Sequence, residues 1–200
     1  MRKTSKRLVL LIVCCSILLF LASGVAVAEE VIYKGGYLHS GTFSVSDSAG
    51  ESEKMVGSTY FFSCERTLEI NESFELGYAG GFQMGGSIED EEGYYTGSAH
   101  CIPVYVLLNY YPLSIEGLPY LTGHLGYNFV LYDVDDYEGT LRGLYYALGA
   151  GLRIPRYPSV RVEVLYMVNK GSGEVEKGWS ATEKLDFAQS RITLAIGLGY

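Results

Sequence analysis

The sequence is poor in charge, proline and tryptophan, and rich in glycine and tyrosine. Of its 200 residues, 19% are charged, five are proline and one is tryptophan, whereas an average soluble domain has about 25% charged residues. The 48% hydrophobic content excludes a disordered chain. The 25 glycines and 18 tyrosines argue against a helical protein, because both residues are poor in helix interiors. Positive charge is scarce, and the net charge of −8 makes nucleic acid an improbable partner.

The first 28 residues have the layout of a cleaved secretory signal peptide. A basic start precedes an apolar run over residues 8–21, and Ala26-Val27-Ala28 supplies small residues at the cleavage position. A membrane anchor is the alternative, but the run is shorter than the roughly 20 residues that a spanning helix needs. We expect cleavage after Ala28, which leaves residues 29–200 as one domain. The signal carries four positive charges and no negative ones, so the net charge changes from −8 to −12.

Beyond residue 28 the sequence lacks long apolar runs and a set of cysteines. No stretch there approaches 18 continuous apolar residues, so no membrane-spanning helix is expected. Two cysteines remain, Cys64 and Cys101, which do not make a disulfide framework. We interpret both as small apolar residues.

The C-terminal segment alternates strictly between large apolar residues and small or polar ones. The apolar positions are Ile192, Leu194, Ile196, Leu198 and Tyr200. Such a period of two predicts a strand with one apolar face. A soluble sandwich would turn that face toward a core, whereas a membrane barrel would turn it toward lipid.

The same alternation recurs along the chain and predicts eight strands. Most of them are 12 residues or longer, which exceeds the 9–11 residues or so that cross a bilayer as tilted strand. Short turns alternate with longer polar segments at 47–57, 89–93, 133–139 and 171–186, which is the outer-membrane layout. The predicted strands cover about 31–46, 58–70, 73–88, 94–111, 119–132, 140–154, 159–170 and 187–200.

The C-terminal strand and the run from Ile102 to Tyr111 resemble the small eight-stranded outer-membrane barrels, the group of the OmpA transmembrane domain and OmpX within the porin-like proteins. The resemblance implies an all-β, antiparallel, up-and-down transmembrane β-barrel over residues 29–200, made by a Gram-negative cell. It also implies that the terminal strand, which ends on Tyr200 where phenylalanine is more usual, is read by the barrel-assembly machinery. It does not define an activity, because this architecture serves many functions.

Charged residues fall on the face that a membrane barrel would turn inward. An eight-stranded barrel has an interior that side chains can fill, and opposite charges there should pair because an unpaired buried charge is costly. We expect a charged plug that closes the lumen, and an ion or proton path is the alternative interpretation. The expected network consists of Glu65, Glu69, Glu75, Arg153, Arg161, Glu163 and Arg191.

Three histidines raise the question of catalysis and of metal binding. His39 is followed by Ser40, and Ser98 stands two residues before His100, which invites comparison with lipid A hydrolases of the barrel type. A nucleophile needs a base in hydrogen-bond reach and the base needs an orienting acid, and no acid shares the strand face of Ser98 and His100. We expect no catalytic residue, no cofactor and no resident metal site.

The long polar segments are acidic. They hold fifteen aspartates and glutamates, among them Glu51, Asp133, Glu138, Glu176 and Asp186. Carboxylate clusters can recruit calcium or magnesium, so divalent cations at the outer loops are the expected ionic partners, beside outer-membrane lipid.

These observations predict a non-enzymatic outer-membrane barrel with a structural or surface-interaction role. A narrow channel for small solutes is the first alternative, and a lipid A-modifying hydrolase is the second. A soluble periplasmic sandwich or lipocalin is disfavoured, because the face opposite the apolar one is rich in glycine and alanine.

Overall fold

A computed structural model describes residues 30–47, 50–89, 95–113, 119–135, 137–177 and 181–200. The predicted signal peptide, 1–28, lies outside these residues. Within them no helix is long and apolar enough to cross a membrane. The described residues form a single antiparallel sheet. Its strands are β1 (Glu30–Leu38), β2 (Gly41–Asp47), β3 (Gly50–Val56), β4 (Thr59–Asn71), β5 (Phe74–Gln83), β6 (Ser87–Glu89), β7 (Tyr95–Tyr110), β8 (Pro119–Val134), β9 (Tyr137–Ile154), β10 (Ser159–Lys177) and β11 (Ala181–Gly199).

The sheet closes on itself because the first strand pairs with the last. β1 is antiparallel to β11, from Ile32 opposite Gly199 to Leu38 opposite Thr193. On its other side β1 pairs with β4, and the remaining neighbours follow chain order around to β10 and β11. β2 continues β1, β3 leads into β4 and β6 continues β5, so the described strands make eight passes. The predicted all-β, eight-pass, up-and-down barrel is therefore confirmed.

Three adjacent passes are interrupted at one level of the barrel wall. The breaks fall at residues 39–40, 57–58 and 84–86. A bond from the Gly57 amide to the Ser87 carbonyl oxygen, 2.8 Å long, holds two of the broken passes together. A Cβ atom on Gly86 would lie 2.1 Å from the Gly57 carbonyl oxygen. Only glycine fits there, because no backbone can yield to so close an approach.

The outer surface carries a broad apolar band in the half of the barrel near the termini. Large apolar side chains in this band are exposed, including Leu125, Leu148, Val164 and Leu194. Exposed apolar surface of this extent is unstable in water. It fits the hydrocarbon layer of a bilayer, where a closed barrel leaves no unpaired backbone groups.

Far from the termini the strands are longer than the sequence pattern predicts. Residues 50–56, 133–134, 137–139, 171–177 and 181–186, which we expected in loops, are strand residues. The apolar face changes sides there: Leu185 and Phe187 are buried inside the barrel, whereas Ile192 and Leu194, lower on the same strand, are exposed outside. A strand of 19 residues tilted by about 45° rises about 45 Å, well above an apolar band of about 25 Å. The upper barrel therefore stands in water, with an apolar interior and a polar exterior.

This boundary can be tested with two substitutions on the outer face of β10. We expect Val164→Arg, in the middle of the apolar band, to lower the free energy of unfolding in a bilayer by about 2–4 kcal/mol. Ser172→Arg, on the same face above the band, should change it by less than about 1 kcal/mol. Denaturant titration of both variants in lipid vesicles measures the difference. Equal effects would place the boundary elsewhere.

Candidate functional site in the barrel interior

The barrel interior near the termini is an ionic layer centred on Arg161. Arg161 of β10 is fully buried and forms two parallel bonds with Glu75 of β5, from Nη1 to Oε2 at 2.9 Å and from Nη2 to Oε1 at 2.7 Å. Its Nη2 also donates to Glu30 of β1. Asn109 and Tyr111 donate to Glu75 Oε2 at 2.9 and 2.8 Å. A bidentate arginine–carboxylate pair fixes both orientation and distance, so this layer ties β1, β5 and β10 together.

A second ionic group lies above this layer and is centred on Lys34 of β1. The Nζ atom of Lys34 lies 2.8 Å from Glu65 Oε2 and 2.6 Å from Glu163 Oε1. All three side chains are buried. Tyr105 donates to Glu65 at 2.9 Å, and Tyr120 donates to Glu163. One cation thus compensates two carboxylates, which leaves one formal negative charge.

An aromatic and aliphatic belt fills the lumen next to Lys34. Tyr105 stacks on His124 with ring centroids 4.7 Å apart, and Tyr145 lies 5.0 Å from Tyr105. A cavity of about 10 Å³ borders Lys34, Tyr105 and Phe61, which is room for about one water molecule.

Above the belt lies a layer of amide side chains with Arg191, followed by an apolar cap. Asn169 Nδ2 donates to Gln83 Oε1 across the lumen at 2.8 Å. The apolar cap above it includes Phe43, Val130, Leu185 and Phe187, all of them buried. We call the four residues Gln83, Asn128, Asn169 and Gln189, together with Arg191, the amide layer.

The structure places the seven predicted charged residues in four different environments. Glu65, Glu75, Arg161 and Glu163 lie in the two ionic layers described above. Arg153 reaches the edge of the lower layer, where its Nη2 atom is 3.4 Å from Glu30 Oε2. Glu69 is exposed at the end of β4 near the termini, outside the network. Arg191 is buried in the amide layer, away from these carboxylates.

Sequence reasoning missed Lys34 and Glu30, the two interior charges of β1. The weak apolar pattern of this strand hid them. Tyr33 and Tyr37 are exposed on the outer face, and their spacing places Lys34 on the opposite face. Attention to these two tyrosines could therefore have identified Lys34.

The C-terminal residues Ile192, Leu194, Ile196, Leu198 and Tyr200 all point outward and are 40–58% exposed. Their strand, β11, is the one that closes the barrel against β1. The Tyr200 amide donates to the Val31 carbonyl oxygen at 2.9 Å, so the last residue is still held in the seam.

The histidines occupy three different environments. His39 Nδ1 lies 3.1 Å from the Ser40 hydroxyl, and among the described residues no carboxylate contacts His39. His100 Nδ1 accepts a bond of 2.9 Å from the Gly85 amide, so this nitrogen is not available to Ser98. His124 is buried in the aromatic belt.

Acids of the polar segments are exposed on the upper strands, among them Glu51, Asp133, Glu138, Glu176 and Asp186, whereas the acids at 90–92 and 136 lie outside the described residues. The register places Asp133 opposite Glu138, and Glu138 opposite Glu176, so three acids form a row across β8, β9 and β10. In the described part of the chain no group of three or more histidine, cysteine, aspartate or glutamate residues is arranged to hold a metal ion.

Comparison with known proteins identifies the fold. No protein-family model matches the sequence, and no curated protein sequence is significantly similar to it. The outer membrane protein OprG from Pseudomonas aeruginosa superposes with a TM-score of 0.53 at 15% identity, covering 86% of this chain and 96% of OprG. The outer membrane protein AlkL superposes with a TM-score of 0.56 at 14% identity, covering 89% of this chain and 92% of AlkL. The chain therefore has the fold of the small outer-membrane β-barrel proteins, as the sequence predicts.

The Lys34 group predicts unequal effects for its members. Lys34→Met leaves two buried carboxylates without a cation, and we expect it to lower the free energy of unfolding by about 3–5 kcal/mol. Glu163→Gln leaves a neutral Lys34–Glu65 pair and keeps an acceptor for Tyr120, so it should cost clearly less. Adding Glu65→Gln and Glu163→Gln to Lys34→Met should restore most of the loss. Denaturant titration in vesicles measures the free energy of unfolding of all four proteins. A Glu163→Gln variant that is less stable than Lys34→Met would contradict this charge balance.

Proposed function

We propose that this protein is a non-enzymatic integral barrel of the outer membrane with a structural or surface-interaction role, and that a charged plug closes its lumen. The ionic layers support the plug most directly. Lys34, Glu65, Glu75, Arg161 and Glu163 come from β1, β4, β5 and β10, and they meet across the lumen with ion-pair distances of 2.6–2.8 Å.

The energetics of these layers favour a permanent closure. Removing the partner of a buried ion costs several kilocalories per mole. Glu65, Glu75 and Glu163 each accept further hydrogen bonds from tyrosine or asparagine. Opening a water-filled path would require these bonds to break together. The apolar cap adds a second barrier, because a steady ion current would have to cross Phe43, Phe187 and their buried apolar neighbours.

The upper barrel supports a surface role. β10 and β11 stay paired from Ser159 opposite Gly199 to Lys177 opposite Ala181, so this hairpin projects far beyond the apolar band as a continuous ribbon. Its exposed face carries Glu174, Glu176 and Asp186. A rigid acidic ribbon can contact cationic partners or bind divalent cations that bridge to anionic lipid.

We also propose that the outward residues of β11, from Ile192 to Tyr200, are contacted by the barrel-assembly machinery. They lie on the strand that forms the closing seam. Outer-membrane lipid would then cover the same residues in the finished barrel.

Planar-bilayer recordings test the closed lumen. We expect no steady, ion-selective current from the intact protein, because the ionic layers and the cap fill the interior. As a control, the combined variant Phe61→Ala, Tyr105→Ala and Tyr145→Ala removes three rings from the interior at the level of the belt and should increase brief current events. A reproducible open state of the wild type would contradict the plug and favour the solute channel. Mass spectrometry of lipid A exposed to the same sample should show no change, and a lost acyl chain would favour the hydrolase.

The acidic row of Asp133, Glu138 and Glu176 predicts a response to divalent cations. Carboxylates directly opposite one another repel, and calcium or magnesium would relieve that repulsion. We expect millimolar calcium to raise the thermal unfolding midpoint relative to a chelator, and Glu138→Gln to reduce the rise. Glu51→Gln, outside the row, is the matched control. The absence of a calcium effect in the wild type would contradict divalent-cation binding at this row.

A further inference from the structure

Arg191 is a buried cation that lacks a carboxylate partner among the described residues. Its side chain is 3% exposed, and it lies within the amide layer, between the aromatic belt and the apolar cap. The Gln189 side-chain oxygen, turned toward the guanidinium, accepts from Nη2 at 2.9 Å and from Nε at 3.3 Å. The Nη1 atom is buried and has no partner. Arg161 and Lys34, by contrast, each contact two carboxylates.

The backbone near Arg191 is built to accept this side chain. A Cβ atom on Gly41 would lie 3.0 Å from Arg191 Cγ, and one on Gly86 would lie 3.1 Å from Arg191 Nη2. Both glycines belong to the interrupted level of the wall. The Arg191 side chain therefore lies along the inner wall against these two glycines, which supply no acidic side chain to its guanidinium.

Further unsatisfied groups lie in the same layer. The amide nitrogens Gln83 Nε2 and Asn128 Nδ2 are buried and have no partner, and the same holds for the amide oxygens Asn128 Oδ1 and Asn169 Oδ1. Gln83 is in register with Cys101, and Cys101 lies beside Gln189 across the lumen, so these residues share one level with Arg191. Buried polar groups are normally satisfied. At this level three donors, on Arg191, Gln83 and Asn128, stand against two acceptors, on Asn128 and Asn169.

We propose that Arg191 Nη1, with the amide nitrogens of Gln83 and Asn128, binds one small monovalent anion of halide size inside the barrel. A bound anion neutralises the buried charge and accepts hydrogen bonds from the donors. The site is confined, because Phe61 and Met167 pack below the layer and Phe43 and Phe187 pack above it. A halide is therefore expected rather than sulfate or a larger organic anion. This site requires neither conductance nor a surface partner.

Halide titration of the folded protein tests the proposal. The purified wild type in zwitterionic lipid vesicles is unfolded by heat in sodium chloride, sodium bromide or sodium gluconate at equal ionic strength. Chloride and bromide should raise the unfolding midpoint by several degrees in a saturable way, and gluconate should not. Arg191→Met should lose the response, whereas Arg153→Met, which removes a partly exposed cation of the lower layer, should keep it. Asn128→Ala should shift the response to several-fold higher halide concentration.

Anomalous diffraction from crystals of protein that was refolded and crystallised in bromide gives an independent readout. A peak within hydrogen-bond distance of Arg191 Nη1 is the expected result. The proposal is overturned if the wild type shows no saturable halide effect, or if Arg191→Met responds as the wild type does. A bromide peak found only at the protein surface would also overturn it.

Discussion

The closing seam between β1 and β11 is the constraint on which the rest of the structure depends. In hydrocarbon an unpaired backbone amide or carbonyl group costs several kilocalories per mole, so a sheet in a membrane must have no open edge. Seven residues of β1, from Ile32 to Leu38, pair with β11 and remove that edge. Once the sheet is closed, each strand has one face toward lipid and one face toward a narrow interior. The alternation of apolar and small or polar residues follows from this geometry.

The ionic layers reinforce the same seam from inside. Lys34 and Glu30 belong to β1, and both contact residues of β10, the neighbour of β11 on its other side. The charges therefore link the first and seventh passes of the barrel across the inner face of the eighth pass, β11, which lies between them. Lipid-facing residues cannot do this, because lipid tails are as apolar as the side chains themselves and give no net preference for one neighbour. Polar contacts in the lumen are the interactions that can fix which strands meet and in what register.

The sequence could predict the barrel because alternation is a local property that lipid and lumen impose on every pass. It predicted less well the segments above the membrane. There the solvent outside changes from lipid to water while the interior stays dry, so the apolar face moves from one parity to the other, as between Phe187 and Ile192. A prediction that assumes the same alternation of odd and even positions along the whole strand interprets such a segment as a polar loop. The interior partners were also out of reach: Glu163 and Lys34 are separated by 129 positions, and only the closed barrel brings them together.

The charged residues along the lumen lie at two levels that differ in the sign of the net charge and in the partners available. Near the termini, each buried cation has carboxylate partners, and the excess charge is negative. In the amide layer the only charge among the described residues is the positive one of Arg191, held between two apolar zones. A purely structural plug would gain stability from placing an acid beside Arg191, yet the wall next to it is built of Gly41 and Gly86, which offer no side chain. The interior thus combines two ionic layers, which tie the strands together and carry a net negative charge, with a cationic level in which unsatisfied donors outnumber unsatisfied acceptors.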